Sequence, residues 1–188
     1  MDERDLLPGE YAALGLLALE PAHGYELHRR WQASRLAEVL PLEQSVLYGY
    51  LRTLDRRGLL DWEEHRVGNR PPRKIYRPSE RGEEVLRAWL RAPVRALREV
   101  RADLLLKLHI LATHDPRAEA TLLDRQVAIC EGLLEDARSA AAAESDPAAF
   151  GALFQQSRAA AAEAALLWLR GYREQRRERA RASGARAS

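Results

Sequence analysis

The sequence predicts a mostly α-helical chain in two parts, an N-terminal winged helix-turn-helix domain followed by an α-helical dimerisation domain. Three observations carry that prediction. Leu47, Leu51 and Leu54 fall at i, i+4 and i+7 on one face of the stretch 42–58, while Ser45, Tyr48, Gly49 and Arg52 fall on the other. Residues 59–76 read as two short strands around a basic tip, Gly68-Asn69-Arg70-Pro71-Pro72-Arg73-Lys74. Beyond Pro93 the composition turns to long helices rich in Ala, Leu, Arg and Glu. A slim helix fits the major groove of B-DNA, and a basic hairpin can reach the adjacent backbone or minor groove.

Taken in order, residues 8–20 predict a first helix with Pro8 near its start and Leu14, Leu17 and Ala18 facing inward. Residues 23–34 predict a second, with Leu27 and Trp31 one turn apart in the core. Residues 35–41 read as the linker into the third helix, which Gly58 ends in the left-handed conformation glycine adopts freely. Three short helices at this spacing suit a tri-helical unit. In the first strand Leu60 and Trp62 are expected inward and Asp61 and Glu63 outward. Pro78 ends the return strand, because proline cannot donate to the ladder. Ser79 is then an N-cap for a helix over 79–91, with Val85, Leu86, Trp89 and Leu90 on one side.

Pro93 marks the expected boundary, giving a DNA-binding domain over 1–92, a helical dimerisation and effector domain over 93–175, and a disordered basic tail over 176–188. The second part predicts three helices. Residues 94–113 carry Leu97, Leu104, Leu108 and Leu111 on one stripe. Asp115-Pro116 starts the next, where Leu123, Val127, Cys130, Leu134, Ala137 and Ala141 recur near heptad spacing. After Ser145-Asp146-Pro147, the last carries Phe150, Phe154, Ala161, Ala164, Trp168 and Tyr172, and is expected to fray from Arg173. Stripes this long and this rich in alanine seek a partner, so a homodimer is expected, and its two-fold axis would set two recognition helices about one helical turn apart.

Composition bounds the function. Apolar residues are 46% and charged residues 31% of the 188, the balance of a folded globular chain. The net charge is only +2, so a nucleic-acid site has to come from local clustering. The single cysteine, Cys130, permits no internal disulfide or cysteine metal cluster, in keeping with a reducing cytoplasm. No signal peptide is read at the N-terminus, and no stretch approaches the roughly 20 apolar residues of a membrane span.

The segments 10–30, 45–60 and 70–86 resemble the PadR family of bacterial transcriptional regulators. The matching features are His23-Gly24-Tyr25-Glu26-Leu27, Leu47-Tyr48 with Leu51 and Leu54, Gly58-Leu59, Arg70-Pro71-Pro72-Arg73-Lys74-Ile75-Tyr76, and Ser79 with Gly82. The resemblance covers about residues 8–90; the helices beyond it are similar to the longer, Vir-like type. It implies a winged-helix repressor in the cytoplasm that binds a palindromic operator as a homodimer and responds to phenolic or other aromatic compounds. Val46 and Gly49 stand where the family often has threonine and proline.

On that reading Gln44, Ser45, Tyr48 and Arg52 face DNA from the third helix; Gln can pair with adenine and Arg with guanine. The plain alternative is a solvated helix face, with Tyr48 partly covering the core. Arg66, Asn69, Arg70, Arg73 and Lys74 form the wing contacts, on a run with no acidic residue from Arg66 to Ile75. Arg70 or Lys74 could instead tie the wing to the domain body. Tyr25 and His28 are candidates for phosphate contact from the second helix, with Tyr25 also expected in core packing. Trp89 and Trp168 are candidates for stacking on a planar aromatic effector, against the plainer reading of both as core or interface; Trp31 and Trp62 are expected in the core. His23, His28, His65, His109 and His114 show no metal-ligand spacing, and His109 and His114 read as surface residues. Neither a cofactor, a metal nor catalysis is indicated. Cys130 is expected to be buried and inert. The rival from another class is a winged-helix protein-interaction module that does not act directly on DNA; a more distant one binds aromatic compounds and has lost its DNA function.

Overall fold

The computed structural model describes residues 5–66, 72–146 and 149–185, and it divides into two compact units. The first comprises Met1–Ala92 with Arg101–Pro116, the second Pro93–Val100 with Arg117–Ser188.

At the centre of the first unit is α1 (Pro8–Leu19). Six of its residues in a row, Ala12 to Leu17, are buried, because it packs against several partners at once. These are α4 (Gln44–Arg56), α5 (Glu80–Arg91), α7 (Asp103–His114) and the strand β2 (Arg73–Pro78). The buried Glu10 carboxylate accepts the Leu7 N–H at 2.8 Å, which satisfies one donor at the helix start. Trp31 on α2 (Gly24–Ala33) is fully buried, and its indole N–H donates to the Leu40 carbonyl at 3.1 Å. The expected linker 35–41 contains one short helix, α3 (Leu36–Val39), which buries Leu36.

The apolar face predicted for α4 is the one it buries, through Leu47, Leu51 and Leu54. Gly58 follows at φ 68°, where a side chain would be strained, and the chain turns into β1 (Leu60–His65). β1 pairs antiparallel with β2 from Leu60↔Pro78 to His65↔Arg73. Ser79 caps α5: its hydroxyl accepts the Gly82 N–H at 3.1 Å and donates to the Gly58 carbonyl at 2.8 Å.

Inward alternation on β1 ends after Leu60. Trp62, expected in the core, is 40% exposed. Its ring instead carries the Lys74 ammonium 3.6 Å from the ring centroid, from the diagonal position on the facing strand.

Residues 94–113 form two helices rather than one: α6 (Leu97–Val100) and α7, separated by Arg101 and Ala102. α7 belongs to the first unit, so the chain crosses the expected boundary and returns. Leu104, Leu106, Leu108, Ile110 and Leu111 are all buried, and a helix this apolar on several sides has to be enclosed. Its Lys107 is buried too and donates to the Ala92 carbonyl at 2.7 Å.

In the second unit α8 (Pro116–Ala142) and α9 (Phe150–Ala185) run antiparallel, joined by Arg138–Glu163, Arg170–Glu131 and Arg173–Asp124 ion pairs. Gln126 is buried and holds the backbone of Val94 through both its N–H and its C=O, at 2.9 and 3.0 Å. The fraying expected from Arg173 is absent through Ala185. The reason lies across the helix pair: Tyr172 and Arg176 both bind the buried Glu119 carboxylate, and Arg173 and Arg177 bind Asp124. Burial and the Glu119 bond push the Tyr172 hydroxyl up to about 12.

The inward face of α9 is Ala152, Ala162, Ala165, Leu166 and Leu169. Of the expected stripe, Phe150, Phe154, Ala161 and Ala164 are exposed, while Trp168 and Tyr172 are half-buried. Among the described residues, no helix is long and apolar enough to cross a membrane.

Candidate nucleic-acid interface

Two structural ties position the candidate residues. The first is the start of α4. With Leu47, Leu51 and Leu54 committed to the core, the geometry of the helix turns Gln44, Ser45, Tyr48 and Arg52 outward, and all four are exposed. The second tie fixes the wing. Ala22 and Tyr76 exchange both backbone hydrogen bonds, at 3.1 and 2.9 Å, so β2 is anchored to the turn just before α2. The hairpin therefore stands on the same side of the unit as the N-terminal ends of α2 and α4.

The result is one open cavity of about 440 Å³. Tyr25, Gln44, Tyr48, Arg73 and Lys74, five residues singled out in the sequence, line it together. His23 and Tyr76, which were not singled out for DNA, line it too. Its charged side chains, Arg73 and Lys74, are both cationic. Ser45 and Arg52 lie on the exposed face of α4, and Arg66 is exposed just beyond the end of β1. Asn69 and Arg70, with Pro71 beside them, lie outside the described residues.

Burial changes some of the expected roles. Tyr25 is 58% exposed, so it is a surface ring and not a core one. His28 is engaged inside the fold: its Nε2 lies 3.2 Å from the Leu42 carbonyl, which also accepts from Gln32. Gly24 has a packing reason beyond its place at a helix start. A Cβ there would lie 2.6 Å from the Tyr48 ring, so the absence of a side chain lets α2 and Tyr48 close up. Tyr76 is half-buried; desolvation first, then Asp55 and Tyr48 nearby, raise its hydroxyl above the usual value.

The Lys74 ammonium lies over Trp62, within the hairpin itself. Arg77 pairs with Glu63 across the strands at 2.8 Å. Glu26, the acidic residue nearest the cavity on α2, is bonded to Arg29 and Arg30, which hold its carboxyl below the usual range.

His23 is the residue that sequence reasoning passed over. Its Nδ1 accepts the Glu26 N–H at 3.1 Å and caps α2, while its Nε2 lies 3.3 Å from the Arg73 guanidinium. The available signal was a polar residue directly before a helix whose third residue is acidic.

The candidate effector residues fall in different units. Trp89 stacks on Tyr11 with ring centroids 4.5 Å apart and an interplanar angle of 3°, and the Lys107 ammonium is 4.8 Å from its ring. Trp168 is half-buried on α9. Cys130 is buried, and desolvation raises its thiol above the usual value. Among the described residues, no group of three or more His, Cys, Asp or Glu side chains is placed to hold a metal ion.

Residues 13–88 match the family model described as the transcriptional regulator PadR-like family. Among solved structures, a PadR-like transcription factor from Bacteroides fragilis is 30% identical over 43% of this chain and 77% of its own, with a TM-score of 0.38. Bacillus subtilis PadR in complex with operator DNA is 18% identical over 92% of this chain and 99% of its own, with a TM-score of 0.47. The same Bacillus subtilis protein in complex with p-coumaric acid is 19% identical over 90% and 99%, with a TM-score of 0.41. No curated protein matches.

Proposed function

The chain belongs to the PadR-like family of transcriptional regulators, and on that premise we propose that it is a homodimeric repressor that grips a palindromic operator with α4 and the wing. The observation that carries this reading is the shared cavity. The start of α4 and the basic strand β2 present Gln44, Tyr48, Arg73 and Lys74 side by side, with no acidic side chain among the described residues of the lining. α4 offers Gln44 and Arg52 to base edges, and the wing supplies phosphate contacts that fix register.

The homodimer is supported by a second apolar face on α9. Phe150 is 79% exposed, Leu153 60%, Phe154 51% and Leu167 78%. These residues recur at helical spacing, with the exposed Ala160, Ala161 and Ala164 between them, on the side away from Ala162, Leu166 and Leu169. A continuous apolar face of this kind marks an interaction surface. A second copy meeting it would join two DNA-binding units in one assembly, as a palindrome requires.

Release by a small aromatic effector is part of the same reading. An effector need only bind one separation of the two α4 helices better than another. Trp168 is one stacking candidate; Trp89 is the other, and an effector there would have to displace Tyr11 or the Lys107 ammonium from its ring.

The test is a mobility shift with duplex from upstream of the chain's own gene, at moderate salt and with excess unrelated DNA. A retained, competitor-resistant complex is expected. Free duplex throughout, with a folded protein, would overturn the reading.

A further inference from the structure

We propose that His23 and Arg73 jointly hold one phosphodiester oxygen of the bound duplex, a proposal that rests on the DNA-binding reading above. It follows from a count of donors and acceptors. A neutral imidazole has one N–H and one accepting nitrogen, and a guanidinium has only N–H groups. His23 faces two donors at once: the Glu26 backbone N–H, 3.1 Å from Nδ1, and the Arg73 guanidinium, 3.3 Å from Nε2. One ring nitrogen can accept; the other carries the proton. With Nδ1 committed to the helix cap, Nε2–H points at Arg73. The other tautomer moves the mismatch to the cap, and a protonated ring doubles it. The arrangement is short of an acceptor in every protonation state.

Among the described residues, the surroundings supply no anionic acceptor. Glu26 is bonded to Arg29 and Arg30, and the described residues lining the cavity that His23 and Arg73 share include no carboxylate. Lys74 adds a second positive charge to that wall. The cavity is open to solvent, so an acceptor can enter from outside. An anionic oxygen seated between His23 Nε2–H and the guanidinium satisfies both donors, and charge-assisted bonds of this kind are the strong ones. The site adjoins the outer face of α4, where the duplex backbone passes when that helix lies in the major groove. The anion is therefore a phosphodiester of the DNA. His23 is the hinge of this contact: its inner nitrogen fixes the first turn of α2 and its outer one reads the backbone.

His23→Asn tests the assignment. Asparagine caps a helix as well as any residue, so α2 keeps its start, but the Nε2–H is gone. The variant is expected to melt like the wild type and to bind about tenfold more weakly, the size of one hydrogen bond to a charged group. The loss should be equal on the upstream duplex and on a scrambled duplex at low salt, because a phosphate contact carries no sequence information. In a double-mutant cycle with Arg73→Ala, the combined loss should fall well short of the product of the two. Duplexes carrying a single methylphosphonate provide a readout independent of the variant's folding. One backbone position per half-site should weaken the wild type and leave the double variant unchanged. Wild-type binding with His23→Asn within about twofold of it, or losses that multiply, overturns the proposal alone. Absence of any wild-type complex overturns the DNA-binding reading and this proposal with it.

Discussion

The Arg73 guanidinium lies 3.3 Å from Nε2 of His23, a residue fifty positions earlier in the chain. The contact exists because the Ala22–Tyr76 bridge fastens the return strand of the wing to the turn that opens α2. Wing and helix start are thus one structure. A duplex that meets the wing meets the first turn of α2 at the same time.

Ala22→Pro removes the N–H that donates to the Tyr76 carbonyl at 3.1 Å. The wing should loosen while the helical core is kept. Hydrogen exchange should show the Tyr76 amide less protected, amides in the middle of α1 unchanged, and DNA affinity reduced.

Arg73→Ala and Lys74→Ala address the electrostatics. Each should weaken binding to all duplexes alike and reduce the slope of log affinity against log salt by about 1. A loss confined to one DNA sequence would mean that these side chains read bases instead.

Gly24→Ala places a methyl 2.6 Å from the Tyr48 ring. Tyr48 is 37% exposed, so its ring can swing aside at little cost. The variant should melt close to the wild type and bind DNA more weakly, because the displaced ring lies on α4 itself. Tyr48→Ala should lower the affinity to a similar extent, and combining the two should add little.

Phe154→Glu with Leu167→Glu puts two charges on the outer face of α9. Both side chains are exposed in the single chain, so its own packing is spared. Sedimentation should show the mass falling from dimer to monomer with far-ultraviolet dichroism retained. An unchanged mass would place the interface elsewhere.

His109 was expected at the surface, yet it is half-buried on α7 and burial lowers its pKa below the ordinary 6.5. As pH falls below about 6.5 the unfolded chain binds a proton that the folded chain refuses, so stability declines toward the folded pKa. Denaturant melts across that window should show a steeper pH dependence for the wild type than for His109→Gln.

The parts legible in the sequence are those set by local pattern. Leu47, Leu51 and Leu54 announce the buried face of α4, Ser79 announces the start of α5, and Gly58 announces the turn between α4 and β1. The parts that were not legible depend on partners far along the chain. Trp62 looks like core by composition, but its strand leaves the body of the unit after Leu60, and Lys74 covers it. α7 reads as the first helix of the second part, although its apolar sides fill the core around α1. The arginines after Tyr172 read as a loose tail until Glu119 and Asp124 on α8 are placed beside them. Alanines occur on nearly every side of α9, so composition alone does not show which face turns toward α8. His23 was missed for the same reason as Trp62: its partner, Arg73, is brought to it by strand pairing that no local pattern shows.

If α4 and the wing hold duplex DNA, hydroxyl-radical footprinting on the chain's own upstream region should show two protected backbone patches about one helical turn, roughly 10 base pairs, apart, fading in Arg73→Ala. A folded protein that leaves the duplex uniformly cleaved at low salt would contradict it.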